Sequence, residues 1–474
     1  MTLPAKFVER VLRDLGGREG AALCAALDAE PPVSVRLNPA KTGADTLPAG
    51  PDAGLPVPEA AGLPALAIAG RVPWSRDGRY LAVRPSFTLD PDFHAGAYYV
   101  QEASSQFVGH LLAAVRTEGA RILDLCAAPG GKTTLYASLA GPDGLVVANE
   151  IDRRRASVLA DNVRKWGTGN VAVTTCEPRA LGDFEAWFDV VAVDAPCSGE
   201  GMFRKDPDAR GEWSEGNVKQ CAARQDEILR EAWRALRPGG TLVYSTCTFN
   251  RDEDEGALER MAAWAGDEIA ESEETAVEDA WGIVCGRVGA FRTFRFYPHR
   301  TCGEGFFAAV ARKSFDAGGR VRTPKARRTV FAAVDRKTAG ELARWVRNPG
   351  GMRFAAVADT CYAWYAAQAD AVRTLSEALP VIYSGVALGQ VFKGTLKPDP
   401  ALAFFDGLNR GALPAAELDD EETLRFLRRQ DIAAGGLAEG MNLVCSRGRA
   451  LGFAKRIGAR VNNLYPNSLR IIKQ

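Results

Sequence analysis

Between residues 101 and 310, short apolar runs alternate with stretches whose apolar residues recur at helical spacing. That alternation leaves few architectures open. Runs at 122–125, 145–149, 171–175, 190–194, 241–245 and 306–311 read as short buried strands. Stretches at 133–140, 153–166 and 220–236 read as helices between them. The pattern predicts an α/β fold built on a doubly wound, mainly parallel sheet. Such sheets bind ligands at the carboxyl ends of their strands.

Two cysteines stand at such ends. Cys197 follows the run that closes at Asp194, and Cys247 follows the run that closes at Ser245. If the two strands are neighbours they lie ~4.8 Å apart, and both thiols face one pocket. Covalent chemistry, a metal and a disulfide are the three readings of such a pair. The ten cysteines show no CxxC spacing, and His94, His110 and His299 are the only histidines. This argues against a zinc site or a disulfide framework, and no metal is expected.

A glycine-rich loop lies nearby in the same pattern. Asp124-Leu-Cys-Ala-Ala-Pro-Gly-Gly-Lys132 follows the first strand and opens a helix. Gly130 and Gly131 let the backbone approach a ligand closely. The spacing is neither GxGxxG nor GxxxxGK[ST], so dinucleotide and P-loop readings are weak. Glu150 closes the next strand, where a carboxylate commonly accepts hydrogen bonds from a ribose diol. Glu177 follows the third strand and is a candidate for an adenine amino group, and Asp194 closes the fourth. A glycine-rich turn with strand-end acids fits an adenosine-containing ligand that lacks a long phosphate tail.

The 474 residues suit two or three domains. Residues 1–30 read as helices, 31–100 as a small α+β unit, 329–379 as a mostly helical connection, and 380–474 as a β-rich domain with strands at 443–445 and 451–454. The expected division is 1–100, 101–313, 314–379 and 380–474. The first residues have no apolar signal core and no run approaches ~18 apolar residues, so a soluble, cytoplasmic protein away from membranes is expected. The formal net charge is zero, yet residues 440–474 hold seven Lys/Arg and no acid, while 251–280 hold twelve acids. Residues 311–328 hold seven Lys/Arg against Asp316 alone. Local basic segments on a neutral chain fit nucleic-acid contact; for 311–328 a linker is an equal reading.

Several segments, in fixed order, resemble the NOL1/NOP2/Sun family of RNA cytosine-5 methyltransferases. They are the loop Asp124–Lys132, Asp194-Ala-Pro-Cys-Ser-Gly-Glu-Gly201 and Ser245-Thr-Cys-Thr248, preceded by Pro32-Val-Ser-Val-Arg-Leu-Asn38 and Tyr99-Val-Gln-Glu-Ala-Ser-Ser105. The likeness runs from about residue 30 to 312. Gly452-Phe-Ala-Lys-Arg-Ile-Gly458 and Tyr465-Pro-Asn-Ser-Leu-Arg470 are similar to the RNA-binding, PUA-like extension of bacterial small-subunit members. The resemblance implies a Rossmann-like S-adenosylmethionine-dependent core, with RNA-binding units at 1–100 and 380–474. It implies that Cys126, Ala127, Ala128, Pro129, Gly130, Gly131 and Lys132 line the donor. Glu150 would hold its ribose, Glu177 its adenine side, and Asp194 its amino-acid side or the cytosine edge. Position 177 departs from the aspartate expected there.

Cytosine C5 is too poor a nucleophile to be methylated unaided, and a thiolate adding to C6 makes it enamine-like. Thiols ionise near ~8.5, so a modest perturbation yields thiolate at neutral pH. DNA cytosine-5 methyltransferases use the cysteine of a Pro-Cys motif, which favours Cys197. The RNA family uses that of a Thr-Cys motif, which favours Cys247. The neighbouring motifs are those of the RNA family, so the resemblance assigns Cys247 as nucleophile and Cys197 to adduct release. Asp194 would hydrogen-bond the base, and Lys132 would touch the base or only the loop. Phe203 and Arg204, after the Pro-Cys loop, are candidates for contacting the flanking strand. Lys455, Arg456, Arg460 and Arg470 are candidates for phosphate contact. The expected partner of this monomer is RNA, 16S rRNA or the small ribosomal subunit. The alternatives are a tRNA substrate or a non-catalytic RNA-binding assembly factor. Amino-directed adenine methylation would want an Asn/Asp-Pro-Pro-aromatic loop, where the chain has Asp194-Ala-Pro-Cys197.

Overall fold

The computed structural model describes residues 2–43 and 63–472. Residues 1, 44–62 and 473–474, parts of the expected terminal units, lie outside the described residues. Its centre is a large sheet, whose main strands are β1 (Arg121–Asp124), β2 (Leu145–Asn149), β3 (Val171–Thr174), β4 (Phe188–Asp194), β5 (Leu236–Thr246), β6 (Val284–Val288), β7 (Phe291–Phe296), β8 (Phe306–Lys313) and β9 (Val381–Ser384). Across the sheet the order is β6-β7-β8-β5-β4-β1-β2-β3-β9. The five strands from β5 to β3 run parallel. The chain leaves β1 in one direction for β2 and β3, then crosses to the other side for β4 and β5. This reversal opens a crevice at the carboxyl ends of β1 and β4.

Each central strand is apolar on both faces because both are covered. Ile122, Val146 and Ala148 pack on one side with Tyr136, Leu159 and Val163 from helices α1 (Gly131–Ala140) and α2 (Arg153–Trp166). Leu123, Val147 and Val191 pack on the other with Leu229, Ala232 and Trp233 of helix α3 (Glu215–Ala235). That is why these strands read as continuous runs rather than alternating ones.

The expected strands and helices of residues 101–310 are present, most within two residues of their expected ends. Two start five residues early: α3 at Glu215, and β5 at Leu236, where Pro238-Gly239-Gly240 lies within its extended path. Residues 1–30 form the helices Ala5–Leu15 and Gly17–Ala26, and the next unit is a four-stranded antiparallel sheet.

Residues 329–379 differ from the mostly helical connection expected. They hold the helices Arg336–Ala343 and Ala369–Ala378, but also the strands Ala332–Ala333, Met352–Val357 and Thr360–Tyr365. The last two pair as a hairpin and join Val386–Phe392 and Thr395–Pro398 in a five-stranded sheet. The alanine-rich composition favours helix locally, but Cys361 and Ala363 alternate into a core with Leu388, and burial wins over propensity. The chain after residue 380 also carries the short helices Pro400–Phe404 and Asp420–Leu427. Among the described residues no helix is long and apolar enough to cross a membrane.

Candidate active site

β4 and β5 are neighbours, with Asp194 opposite Ser245. Their register carries the two following loops to one place, and Cys197 Sγ lies 3.3 Å from Cys247 Sγ, both half-buried. Backbone bonds fasten the loops together: Ala195 N–H donates to Ser245 O at 2.8 Å and Gly201 N–H to Cys247 O at 2.8 Å. Position 201 must be glycine, since a Cβ there would sit 2.6 Å from Gly305 O and 2.9 Å from Cys247 O.

Lys132, at the start of α1, reaches the same place. Its Nζ is 2.9 Å from Asp194 Oδ2, and Ser245 Oγ donates to Asp194 Oδ1 at 2.8 Å. Burial pulls the Lys132 ammonium down, but Asp194 more than offsets this and holds it above its ordinary range; Cys247 is within electrostatic reach. For Cys197 the hydrogen bond to Cys247, followed by burial and the charges of Cys247 and Glu253, pushes the thiol well above its ordinary range. The two thiols share one S–H···S hydrogen bond.

The loop after β1 is equally constrained. Leu125 N–H donates to Ala192 O at 3.0 Å and Ala127 N–H to Asn149 O at 2.8 Å. Gly130 caps α1 at φ +112°, a conformation side chains disfavour. Ala127 and Ala128 are buried and Pro129 is exposed. Burial raises the Cys126 thiol, in keeping with a packing role. Asp124 accepts from Thr133 Oγ1 at 2.6 Å through one oxygen, while its other oxygen is buried without a partner. Burial pushes this carboxyl up to about 7. Glu150, also buried, accepts from Asp152 N–H at 3.0 Å and lies 3.3 Å from Arg155 Nη1.

Glu177 is exposed at the end of β3 and makes no side-chain hydrogen bond or ion pair among the described residues. The structure therefore brings together Cys197, Cys247, Asp194 and Lys132, with the 126–132 loop and Glu150 beside them, and leaves Glu177 at the rim.

The expected strand contacts need correction. Phe203 is fully buried, edge-on to Phe7 at 5.0 Å between ring centres, so it presents no face to a base. The Arg204 side chain is 6% exposed and bound to Glu304 Oε2 at 2.8 Å and to Gly303 O at 2.7 Å. Arg456 spends its donors on the carbonyls of Leu437, Ala434 and Gly458. Lys455, Arg460 and Arg470 remain exposed. In the 311–328 segment, Lys313 bonds Trp233 O, Arg322 pairs with Glu185, and Arg328 bonds Leu379 O, which is the behaviour of a tethered connection.

One set of residues was not anticipated. Glu253 accepts from Ser198 N–H at 2.9 Å, Gln225 Nε2 at 3.0 Å and Asn250 Nδ2 at 2.8 Å. Glu200 accepts from Phe249 N–H at 2.9 Å and Trp213 Nε1 at 3.0 Å. These buried acids tie the Cys197 loop to the Cys247 loop. Glu200 lies inside the Asp194–Gly201 segment, but Glu253 was hidden in the acidic run 251–280, where composition suggests solvent.

The family described as 16S rRNA methyltransferase RsmB/F matches residues 111–312. The N-terminal domain of 16S rRNA methyltransferase RsmF matches 3–103, and the methyltransferase RsmF PUA domain matches 414–471. Ribosomal RNA small subunit methyltransferase F of Shewanella loihica is 32% identical over 418 residues, covering 84% of this chain and 83% of that one. The chain belongs to this methyltransferase F family. The Escherichia coli O81 member is 32% identical over 84% of both chains. The crystal structure of a methyltransferase homolog from Pyrococcus horikoshii is 27% identical, with a TM-score of 0.53, over 65% of this chain and 94% of that one. The methyl donor of the family is S-adenosylmethionine. The site fits it: carboxylates close adjacent strands at Asp124, Glu150 and Asp194, and one buried Asp124 oxygen has no partner. Such a donor set suits a ribose diol and a cationic amino-acid head.

Proposed function

We propose that this enzyme methylates C5 of a cytosine in small-subunit ribosomal RNA through a covalent bond between Cys247 and C6. The carrying observation is the pair of thiols 3.3 Å apart, with the Lys132–Asp194 pair beside them. The names of the relatives support rRNA as the substrate. When bound by the 126–132 loop, Glu150 and Asp194, S-adenosylmethionine supplies an electrophilic methyl group.

The two cysteines differ in their surroundings. Lys132 lies within electrostatic reach of Cys247, while the hydrogen bond to Cys247 and burial raise the Cys197 thiol well above its ordinary range. Addition of Cys247 to C6 turns C5 into an enamine-like carbon. Asp194 is held between Ser245 and Lys132 and accepts from the base edge. Once Cys247 Sγ is bonded to C6, its hydrogen bond with Cys197, the leading cause of the raised Cys197 pKa, is weakened, and Cys197 can lose its proton to solvent. After methyl transfer, Cys197 takes the C5 proton; the C5–H electron pair re-forms the C5=C6 bond as the C6–S bond breaks and Cys247 leaves as thiolate.

The test uses 16S rRNA transcript and assembled small subunits with labelled donor, followed by bisulfite sequencing. Cys247→Ala should abolish both methylation and trapping on 5-fluorocytosine RNA. Cys197→Ala should leave a persistent protein–RNA adduct. Exchanged outcomes would reverse the two roles. Wild-type enzyme that binds rRNA yet incorporates no methyl would leave an assembly-factor role.

A further inference from the structure

Behind the 126–132 loop lies a cavity of about 470 Å³ that the chemistry above does not use. It opens between the strand Tyr98–Val100 and the last turn of α2, a size within the usual range for small-ligand sites. Its walls include Phe87, Phe93, Tyr98 and Tyr99. Two cations line the same space: the Arg84 guanidinium lies 5.4 Å from the Phe87 ring centre, and Lys165 Nζ lies 4.4 Å from that of Phe93. Neither has an ion pair or a side-chain hydrogen bond among the described residues, although Asp161 is within electrostatic reach of Lys165. Burial lowers the Lys165 ammonium to about 8, so an anion entering the cavity would strengthen its charge. Thr88 and Asn162 add polar groups to the lining.

Aromatic faces with unpaired cations beside them are the combination that holds an unstacked base and its phosphate. A purely apolar ligand would leave both cations unanswered, and a bare anion would leave the rings unused. The cavity also touches the donor loop: Tyr99 Oη donates to Pro129 O at 3.2 Å and Asn162 Nδ2 to the same oxygen at 2.9 Å.

We propose that this cavity is a second RNA subsite, which takes one splayed-out nucleotide of the substrate strand, with Arg84 and Lys165 on its phosphate and its base against Phe93 and Tyr99, the two rings that are only partly buried. This rests on the RNA reading above. A nucleotide held there would anchor the strand against the N-terminal unit while the target base enters the cysteine pocket.

The experiment uses full-length enzyme and a 16S rRNA transcript carrying 4-thiouridine. Ultraviolet cross-linking and peptide mapping should place a cross-link within residues 84–100. The double variant Arg84→Gln/Lys165→Gln should raise KM for RNA about tenfold, with kcat within about twofold of wild type. It should also lower the slope of log affinity against log salt by about 0.7, the value for one single-strand phosphate contact. Ser86→Trp fills the mouth without removing charge and should raise KM alone. No cross-link in this segment, with KM and salt slope unchanged in the double variant, overturns the subsite. Failure of the cytosine reading is separate: wild type would add no methyl, whereas cross-link position and salt slope still judge the cavity by binding alone.

Discussion

One residue outside the expected site braces the cysteine pair. Glu253 answers three N–H donors from the two cysteine loops and α3, and its charge adds to the cost of ionising Cys197. Glu253→Gln replaces one acceptor by an amide N–H facing donors, which costs about 1–3 kcal/mol where such a group is buried. It also removes a negative charge near Cys197, so the Cys197 pKa falls. On the proposed mechanism, release of the RNA adduct requires ionised Cys197, so its pH profile should shift to lower pH. Single-turnover release rates measured across pH test this, and a profile that drops in height without moving would leave Glu253 a purely structural brace. The cysteines themselves were legible because motif and strand end coincide. Glu253 was not, because its burial depends on where the chain folds after β5, and local composition says only that it is acidic.

At the scale of elements, the site depends on a register. β4 and β5 run parallel with Asp194 opposite Ser245, so loops of different length deliver Cys197 and Cys247 to one point. Gly201 is the tightest joint between those loops. Gly201→Ala drives a Cβ against the carbonyls of Gly305 and Cys247, backbone atoms that cannot swing aside. Overpacking of this kind costs about 1–3 kcal/mol. Relieving it would part the loops and lengthen the thiol pair. We expect the rate of 5-fluorocytosine adduct formation to fall at least about tenfold, the equivalent of ~1.4 kcal/mol, with donor affinity preserved because the 126–132 loop is untouched. Equal losses in both measurements would point to general unfolding. The parallel strands were readable from the sequence because both their faces are covered and the apolar runs are unbroken. The hairpin Met352–Tyr365 was not, because alanine carries no strand signal and only contacts with Leu388 and its neighbours select that state.

In the whole molecule the terminal units meet. Arg447 and Arg449, from the basic C-terminal stretch, pair with Asp90 and Asp92 of the N-terminal unit at 2.8–3.3 Å. Part of the charge that suggests RNA contact is therefore spent on holding the chain closed. Sequence alone could not separate these arginines from Lys455 and Arg460, because the difference lies in a contact some 350 residues away in the chain. His94 is buried at the same junction. Its Nε2–H donates to Thr88 O at 2.9 Å, and its Nδ1 accepts from the Tyr465 hydroxyl at 3.2 Å. Burial lowers its pKa from 6.5 to about 4, against a smaller opposing effect from the Thr88 bond. The folded state thus favours neutral imidazole. That preference contributes stability above the unfolded pKa, and it is lost as pH falls through the window from 6.5 to about 4. At ~1.4 kcal/mol per pKa unit the loss is about 3 kcal/mol. His94→Gln cannot take up that proton. It should be less stable than wild type at pH 7, from the lost packing and hydrogen bonds, and the gap should close by about 3 kcal/mol by pH 4. The two proteins share every other ionisable group, so the difference between their unfolding free energies isolates the histidine. A gap that stays constant from pH 7 to pH 4 would mean that His94 takes its proton without disturbing the junction.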